Sequence, residues 1–449
     1  MASKSDDWKG MVIWKMPEWI EPVGIVSILL VAMFVTRRRS FSILSGKDSS
    51  YRPLISHEDS PSTSDDEDYT FSPKPNVEYP PKRRRIFGLW TVLTPNSSRF
   101  ARHFHSRILQ KYPFLVEMFY WVITYFFYRM TAKVSAIWYG STESLWLNAQ
   151  AHGISLLETE AWVLGSDSTD ASRWIEWRVQ QWFIAGAEIG DIRRLLLTIL
   201  NRAYALIHIP GTVGFIAYYY YVAPNHTRFC TVRRTMSLLN MFAFLTFTVY
   251  PCMPPRLLPK EFGFIDTVNA EDAASVFMSG KYVNKLAAMP SMHFGYAFCI
   301  GCVFIYESGF MRQWCRLPCF SSSSTSNSNK SADALEDETA EQQQQQQHDI
   351  ETPYLKQTIL ESEPDQQRER SPLARILFLV VGVLYPSFIL LCIVATANHY
   401  ILDAVAAALV VLLAYLCNRV LLNFLVLEDW LLWAWRLEKP EPTTGKTRT

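Results

Sequence analysis

The sequence predicts an all-α protein, a polytopic membrane helix bundle of about six to seven transmembrane helices with disordered cytosolic segments. Three observations predict it. Hydrophobic residues make up 49% of the 449 positions and charged residues 19%, below the roughly 25% usual in soluble domains. Nearly charge-free runs alternate with strongly polar ones. Two of those apolar runs carry a histidine at their mouth, His293 and His399, and such a residue is costly in a membrane unless it faces protein or water. The net charge of +1 provides no bulk field for nucleic acid.

The first apolar run, residues 19–35, is flanked by tryptophan and followed by Arg37, Arg38 and Arg39. Basic residues after the run, with no small-residue cleavage site, point to an anchor with its C-terminal end in the cytosol. Residues 37–112 are rich in Ser, Pro and Asp, with an acidic knot (Asp65, Asp66, Glu67, Asp68) and a basic one (Lys82, Arg83, Arg84, Arg85). Such a stretch buries little and is expected to be disordered. The basic knot reads as a solvated charge run, or else as a contact for anionic lipid.

Residues 113–130 form the second expected span, with Glu117 turned to the bundle. Residues 133–202 are mixed, and 149–164 and 172–185 repeat apolar residues at helical spacing. They suit helices that lie on a surface or cap a site. Spans follow at 203–222 (holding His208), 235–250, 290–306, 373–394 and 400–422. Between them, Pro251, Pro254 and Pro255 make 251–289 a loop. Residues 307–372, with serine and glutamine runs, are low-complexity and need no fold. The domain scheme is therefore an anchor at 1–36, a cytosolic segment at 37–112, bundle parts at 113–306 and 373–424 around a 307–372 insert, and an interfacial helix with Trp430, Trp433 and Trp435 in 425–449.

Alternating the spans puts 36–112, 223–234, 307–372 and the tail in the cytosol, and 131–202, 251–289 and 395–399 opposite, in agreement with the positive-inside rule. The sequons at Asn96, Asn225 and Asn329 all fall on the cytosolic side. The eight cysteines lie mostly in or beside apolar runs, and Cys299 and Cys302 have no second pair with which to form a zinc site. Cys315 and Cys319 follow a span at a distance suited to S-acylation. No metal-ligand cluster and no cofactor motif is seen.

The topology brings His293, His399 and Arg256 to one face. His399 and Asp403 are four apart and share a helix face. A carboxylate there fixes the imidazole tautomer and stabilises its cation; a helix cap with a solvated Asp403 is the plain alternative. Pro290 and Ser291 mark a helix start, whose free N–H groups attract anions, and His293 falls in its first turn. Arg256 presents a planar fork for phosphate oxygens. The set suits phosphoryl transfer through a covalent histidine.

Pro290-Ser291-Met292-His293 and His399-x-x-x-Asp403 resemble the two histidine blocks of the type 2 phosphatidic acid phosphatase superfamily. The strings YPCMPPR, GFIDTV, AAMPSMHFG and TANHYILDA resemble its inositol phosphorylceramide synthase-like branch, over roughly residues 149–422. The resemblance implies that His399 attacks a lipid phosphate, Asp403 orients it, and His293 protonates the leaving group. It also implies that Arg256, and Ser291 through its backbone N–H, bind phosphate oxygens. The implied partners are phospholipid and lipid-alcohol substrates in an endomembrane (Golgi or ER), with the site facing the lumen. The expected activity is transfer of an inositol-phosphate-type head group to an alcohol such as ceramide. A lipid phosphate phosphatase is the first alternative, and a non-catalytic seven-span receptor or scaffold the second. Val249 and Ile393 stand where the superfamily pattern has a lysine and an arginine. Asp266 and Glu158 match the branch more loosely.

Overall fold

The computed structural model describes residues 19–43, 79–165, 170–185, 192–267, 284–310 and 371–445. The acidic knot, the serine and glutamine runs, Cys315, Cys319 and Asn329 lie outside the described residues. The chain is mostly helical: α1 (Ile20–Val35), α2 (Phe104–Lys111), α3 (Leu115–Trp138), α4 (Thr142–Val163), α5 (Ile175–Ile184), α6 (Ile192–Val222), α7 (His226–Val249), α8 (Met292–Glu307), α9 (Pro372–Ala395), α10 (Ile401–Leu416) and α11 (Leu425–Ala434). A hairpin joins β1 (Lys82–Ile86) to β2 (Trp90–Thr94).

The described chain forms two units, one of residues 1–301 with 383–449, the other of 302–382. In the second, the end of α8 and the start of α9 meet through an edge contact of Phe304 on Phe378, and Arg375 Nε donates to the Ser308 carbonyl at 3.0 Å. The candidate site described below lies in the first unit.

Helix limits follow local chemistry. Asn225 caps α7, its side chain accepting from Arg228 N at 2.9 Å, so the helix starts well before the apolar run. α6 likewise extends eleven residues ahead of its expected start at 203, because Ile192, Leu195, Leu196 and Ile199 repeat at helical spacing among the arginines. α10 ends at Leu416, and a 3-10 turn over Asn418–Phe424 bends the chain into α11 by 56°.

By length and composition α9, with mean hydropathy 2.7 over its apolar window, can cross a membrane, and the bent pair of α10 with Asn418–Ala434 passes the same test together. α1 and α8 are apolar but shorter, at 16 residues each. Against the six to seven spans expected, one helix, or two spans with the bent pair, meets that test among the described residues, in a chain that is mostly helical. The physical reason is that α3 and α7 carry charges within their length (Glu117, Arg129 and Lys133; Arg228, Arg233 and Arg234), while the charge-free part of α6 is diluted by His208, Pro210 and the tyrosines at 218–221.

Residues 79–112 depart from the expected disorder. The basic knot is strand β1, and its Arg84 grips Asp429 of α11 through two contacts of 2.7 and 3.2 Å. Lys82 lies 3.6 Å from the same carboxylate, and Thr94 donates to it at 2.8 Å. The carboxylate comes from 345 positions away, so nothing local announces the pairing. The turn uses Phe87 and Gly88, both with positive φ.

A second set of polar contacts joins the end of α1, α2, α6 and α7 to residues 437–445, Tyr220 meeting Thr443 and His226 meeting Thr444. Arg38 holds Glu441 at 2.8 Å, Thr443 Oγ1 donates to the Thr36 carbonyl at 2.7 Å, and Glu438 N donates to Ser106 at 3.0 Å. Glu117 does face the bundle, ion-paired with Arg233 of α7 at 2.6 Å.

Candidate active site

Three stretches far apart in sequence are stitched by main-chain hydrogen bonds. Cys252 N donates to the Leu286 carbonyl at 2.8 Å, and Ala288 N returns a bond to Cys252 at 3.1 Å. Arg256 N donates to the Ala397 carbonyl at 2.9 Å. Ala397 has φ 50°, a left-handed conformation unfavourable for a side-chain-bearing residue. It turns the chain sharply out of α9, so that Asn398 and His399 both bond back to the Ile393 carbonyl. α4 completes the floor. Met253 N donates to the Ala149 carbonyl at 2.9 Å, Tyr400 Oη donates to the Met253 carbonyl at 2.6 Å, and Gly153 sits beneath both.

His399 is buried between two acceptors. Its Nδ1 lies 2.9 Å from the Ala288 carbonyl and 3.1 Å from Asp403 Oδ2. Neither oxygen can donate when Asp403 is ionised, so Nδ1 carries the proton and the neutral ring keeps its lone pair on Nε2. That Nε2 faces His293 Nδ1 at 3.3 Å. Asp403 is fully buried, and its Oδ2 also accepts from Tyr400 N at 3.0 Å. This local bond closes the first turn of α10 and fixes the carboxylate against the imidazole.

The two histidines and Asp403, expected to meet, do meet. Arg256 joins them through its backbone, while its guanidinium contacts Asp266 Oδ2 at 2.9 Å, which brings the loosely matched Asp266 to the same loop. Ser291 departs from expectation. Its N–H is directed at the Asp403 carbonyl at 3.3 Å rather than toward a phosphate, and its Oγ caps α8 by accepting from Phe294 N at 3.3 Å. The residue is wholly buried because it ties the start of α8 to α10. Glu158 is exposed and pairs with Arg173 at 2.5 Å, away from the histidines. The side chain of His208 lies outside what is described. No group of three metal-ligating side chains is present among the described residues.

Three residues escaped the sequence reading. Tyr204 of α6 stacks on His293 at 4.3 Å between ring centroids and 24° between planes. Glu160 of α4 and Glu176 of α5 are both buried and accept from the first amides of α10: Leu402 N to Glu160 at 3.1 Å, Ile401 N to Glu176 at 2.9 Å. Glu160 occupies the apolar stripe of α4, with Leu156, Leu157 and Ala161, a signal that its position two residues after Glu158 would have given. Burial, and then the neighbouring Glu176 carboxyl, push the Glu160 carboxyl up to about 9.

The comparisons agree with this geometry. Residues 175–319 and 371–417 match the model of the PAP2 superfamily, under half of the chain but including both histidines, Asp403 and Arg256. The match supports the type 2 phosphatidic acid phosphatase superfamily for this chain. It makes the protein an enzyme of the phosphatase or phosphotransferase kind, and the reading as a receptor or scaffold without chemistry gives way to it. No curated protein and no solved structure matches the chain.

Proposed function

We propose that the protein is a membrane-embedded lipid phosphotransferase that works through a phosphohistidine on His399. The observation that carries the reading is the arrangement of the imidazole: Nδ1 is committed to Ala288 and Asp403, while Nε2 faces His293 at 3.3 Å. In the first step Nε2 attacks phosphorus, the Nε2–P bond forms, and the bond to the leaving oxygen breaks as His293 gives that oxygen a proton. Asp403 balances the positive imidazole so produced. In the second step an acceptor hydroxyl loses its proton to His293, its oxygen bonds phosphorus, and the Nε2–P bond breaks. Arg256 steadies the phosphoryl oxygens once its guanidinium turns from Asp266. Tyr204 holds the His293 ring by its face.

Transfer of a head group is favoured over hydrolysis of a monoester by charge. Where the superfamily pattern has two further cations, this chain has Val249 and Ile393, the latter fully buried in an apolar core. A phosphodiester carries one negative charge and needs less neutralisation than a monoester dianion. An inositol-phosphate-type head group passed to a lipid alcohol such as ceramide fits that requirement.

We read α1, α3, α6, α7, α8, α9 and α10 as seven spans. Supporting this, 24-residue α7 extends about 36 Å, comparable with the roughly 30 Å hydrocarbon core. One end of unit 1 gathers Arg38, Arg84, Arg233, Arg234 and Lys439, and the histidines lie at the far end of α7. The arginine-rich end is then cytosolic and the site lumenal, in an endomembrane such as the Golgi or ER.

Purified protein in detergent, given labelled phosphatidylinositol with ceramide or with water as sole acceptor, tests the reading. Inositol phosphorylceramide is expected in the first case, and none from His399→Ala or His293→Ala. Release of free inositol phosphate at equal rate in both would indicate a hydrolase. Full turnover by both variants would end the phosphohistidine mechanism.

A further inference from the structure

The start of α10 is held by acids to an unusual extent. Three consecutive amides, Tyr400 N, Ile401 N and Leu402 N, donate to Asp403, Glu176 and Glu160 respectively, at 3.0, 2.9 and 3.1 Å. Glu160 and Glu176 each use one oxygen in this way, on adjacent amides, and the two carboxyls neighbour one another. Their Oε2 atoms are buried and accept from no donor. Two ionised carboxylates could not satisfy each other, since both would only accept. One proton between them satisfies both oxygens.

The charges around this pair favour that proton. From α10 comes Asp403, which opposes further negative charge; the neutral Tyr400 phenol just before it and Cys252, on the loop beneath Tyr400, are the other titratable groups near these acids. The partner of Asp403 is His399. Arg173, three residues before Glu176, pairs with Glu158. A helix N-terminus with a net charge near one half favours one anion strongly and a second much less.

Resting on the proposed role of His399, we propose that Glu160 and Glu176 act as a proton-sharing acid pair that fixes the first turn of α10 and thereby positions Asp403 and His399 for attack. They are positioning residues: neither touches the reacting nitrogen. The pair keeps the α10 amides bonded without placing a third full negative charge beside Asp403. The folded-state value of Glu160, about 9, stands above the ordinary 4.5. The native state therefore holds a proton that the unfolded chain has released between those limits. The pair's contribution to stability is whole below pH 4.5 and is lost as pH rises through about 9.

Two measurements on the purified full chain in detergent decide it. The first, independent of activity, is the thermal unfolding midpoint from about pH 5 to about pH 9. The wild type is expected to lose stability over this range. Glu160→Gln keeps the acceptor for Leu402 and a fixed donor for Glu176, so its midpoint is expected to fall less. The second is turnover of phosphatidylinositol with ceramide at neutral pH. Glu160→Ala is expected to lose about ten- to a hundredfold in kcat with KM nearly unchanged, and Glu160→Gln to regain most of it. If Glu160→Gln and the wild type lose midpoint in parallel, the shared proton is excluded. If Glu160→Ala and Glu176→Ala keep wild-type kcat, the positioning role is excluded. His399→Ala retaining turnover would overturn the mechanism above instead, and the midpoint comparison would still decide whether the pair shares a proton.

Discussion

Replacing Asp403 by Asn isolates the electrostatic part of the proposed mechanism. The side chain keeps its size and can still accept from His399 Nδ1 through its carbonyl oxygen. What it loses is a full negative charge whose oxygen lies 3.1 Å from that nitrogen. When His399 takes up phosphorus its ring becomes a cation, with centres of charge about 4 Å apart. At an effective dielectric of about 20, that pairing is worth about 4 kcal/mol. Because the charge develops on the way to the transition state, the loss falls on kcat, by about a thousandfold at 1.4 kcal/mol per factor of ten. Initial rates across a range of phosphatidylinositol concentrations in mixed micelles give kcat and KM separately, and the thermal midpoint checks that the variant is folded. A folded Asp403→Asn protein within tenfold of wild-type kcat would refute the claim that this carboxylate stabilises a phosphorylated imidazolium.

Three other variants probe the supports of the site. Tyr204→Ala removes the ring stacked on His293, an interaction worth about 0.5–1.5 kcal/mol; kcat should fall about three- to tenfold, with Tyr204→Phe close to wild type. Gly153→Ala would set a methyl 2.6 Å from Tyr400 Oη and 2.7 Å from the Met253 carbonyl; overpacking of about 1–3 kcal/mol should appear as a lowered thermal midpoint and lowered turnover together. Arg233→Met leaves Glu117 buried without its 2.6 Å partner, at a cost of about 3–5 kcal/mol; adding Glu117→Leu should restore much of the lost midpoint, whereas further loss on adding it would contradict the pairing.

How much of this was legible beforehand depends on the range of the signal. His399 and Asp403 are four apart, and Pro290-Ser291 announces a helix start, so the histidine blocks were readable from local spacing. The helix positions were readable from hydropathy, because apolar runs persist over a full span. The hairpin was not. Its strand β1 is a run of basic residues that becomes ordered only when Asp429, 345 positions later, arrives beside Arg84. The amide of Ser291 meets the carbonyl of Asp403 through chain geometry that no pattern encodes. Glu160 was within reach. Its register on α4, among Leu156, Leu157 and Ala161, separates it from exposed Glu158, and a carboxyl on an apolar stripe asks for a partner.

The clasp between Thr36 and Thr443 has a consequence for biogenesis. The two threonines are 407 positions apart. At a ribosomal pace of about 5–20 residues per second, roughly 20–80 s pass between emergence of the first helix and the strand of chain that fastens it. During that interval α1 must be retained by insertion, by packing on α6 and by its contacts with Lys111 and Tyr112, and nascent chains halted short of the tail should be the ones most readily extracted and degraded.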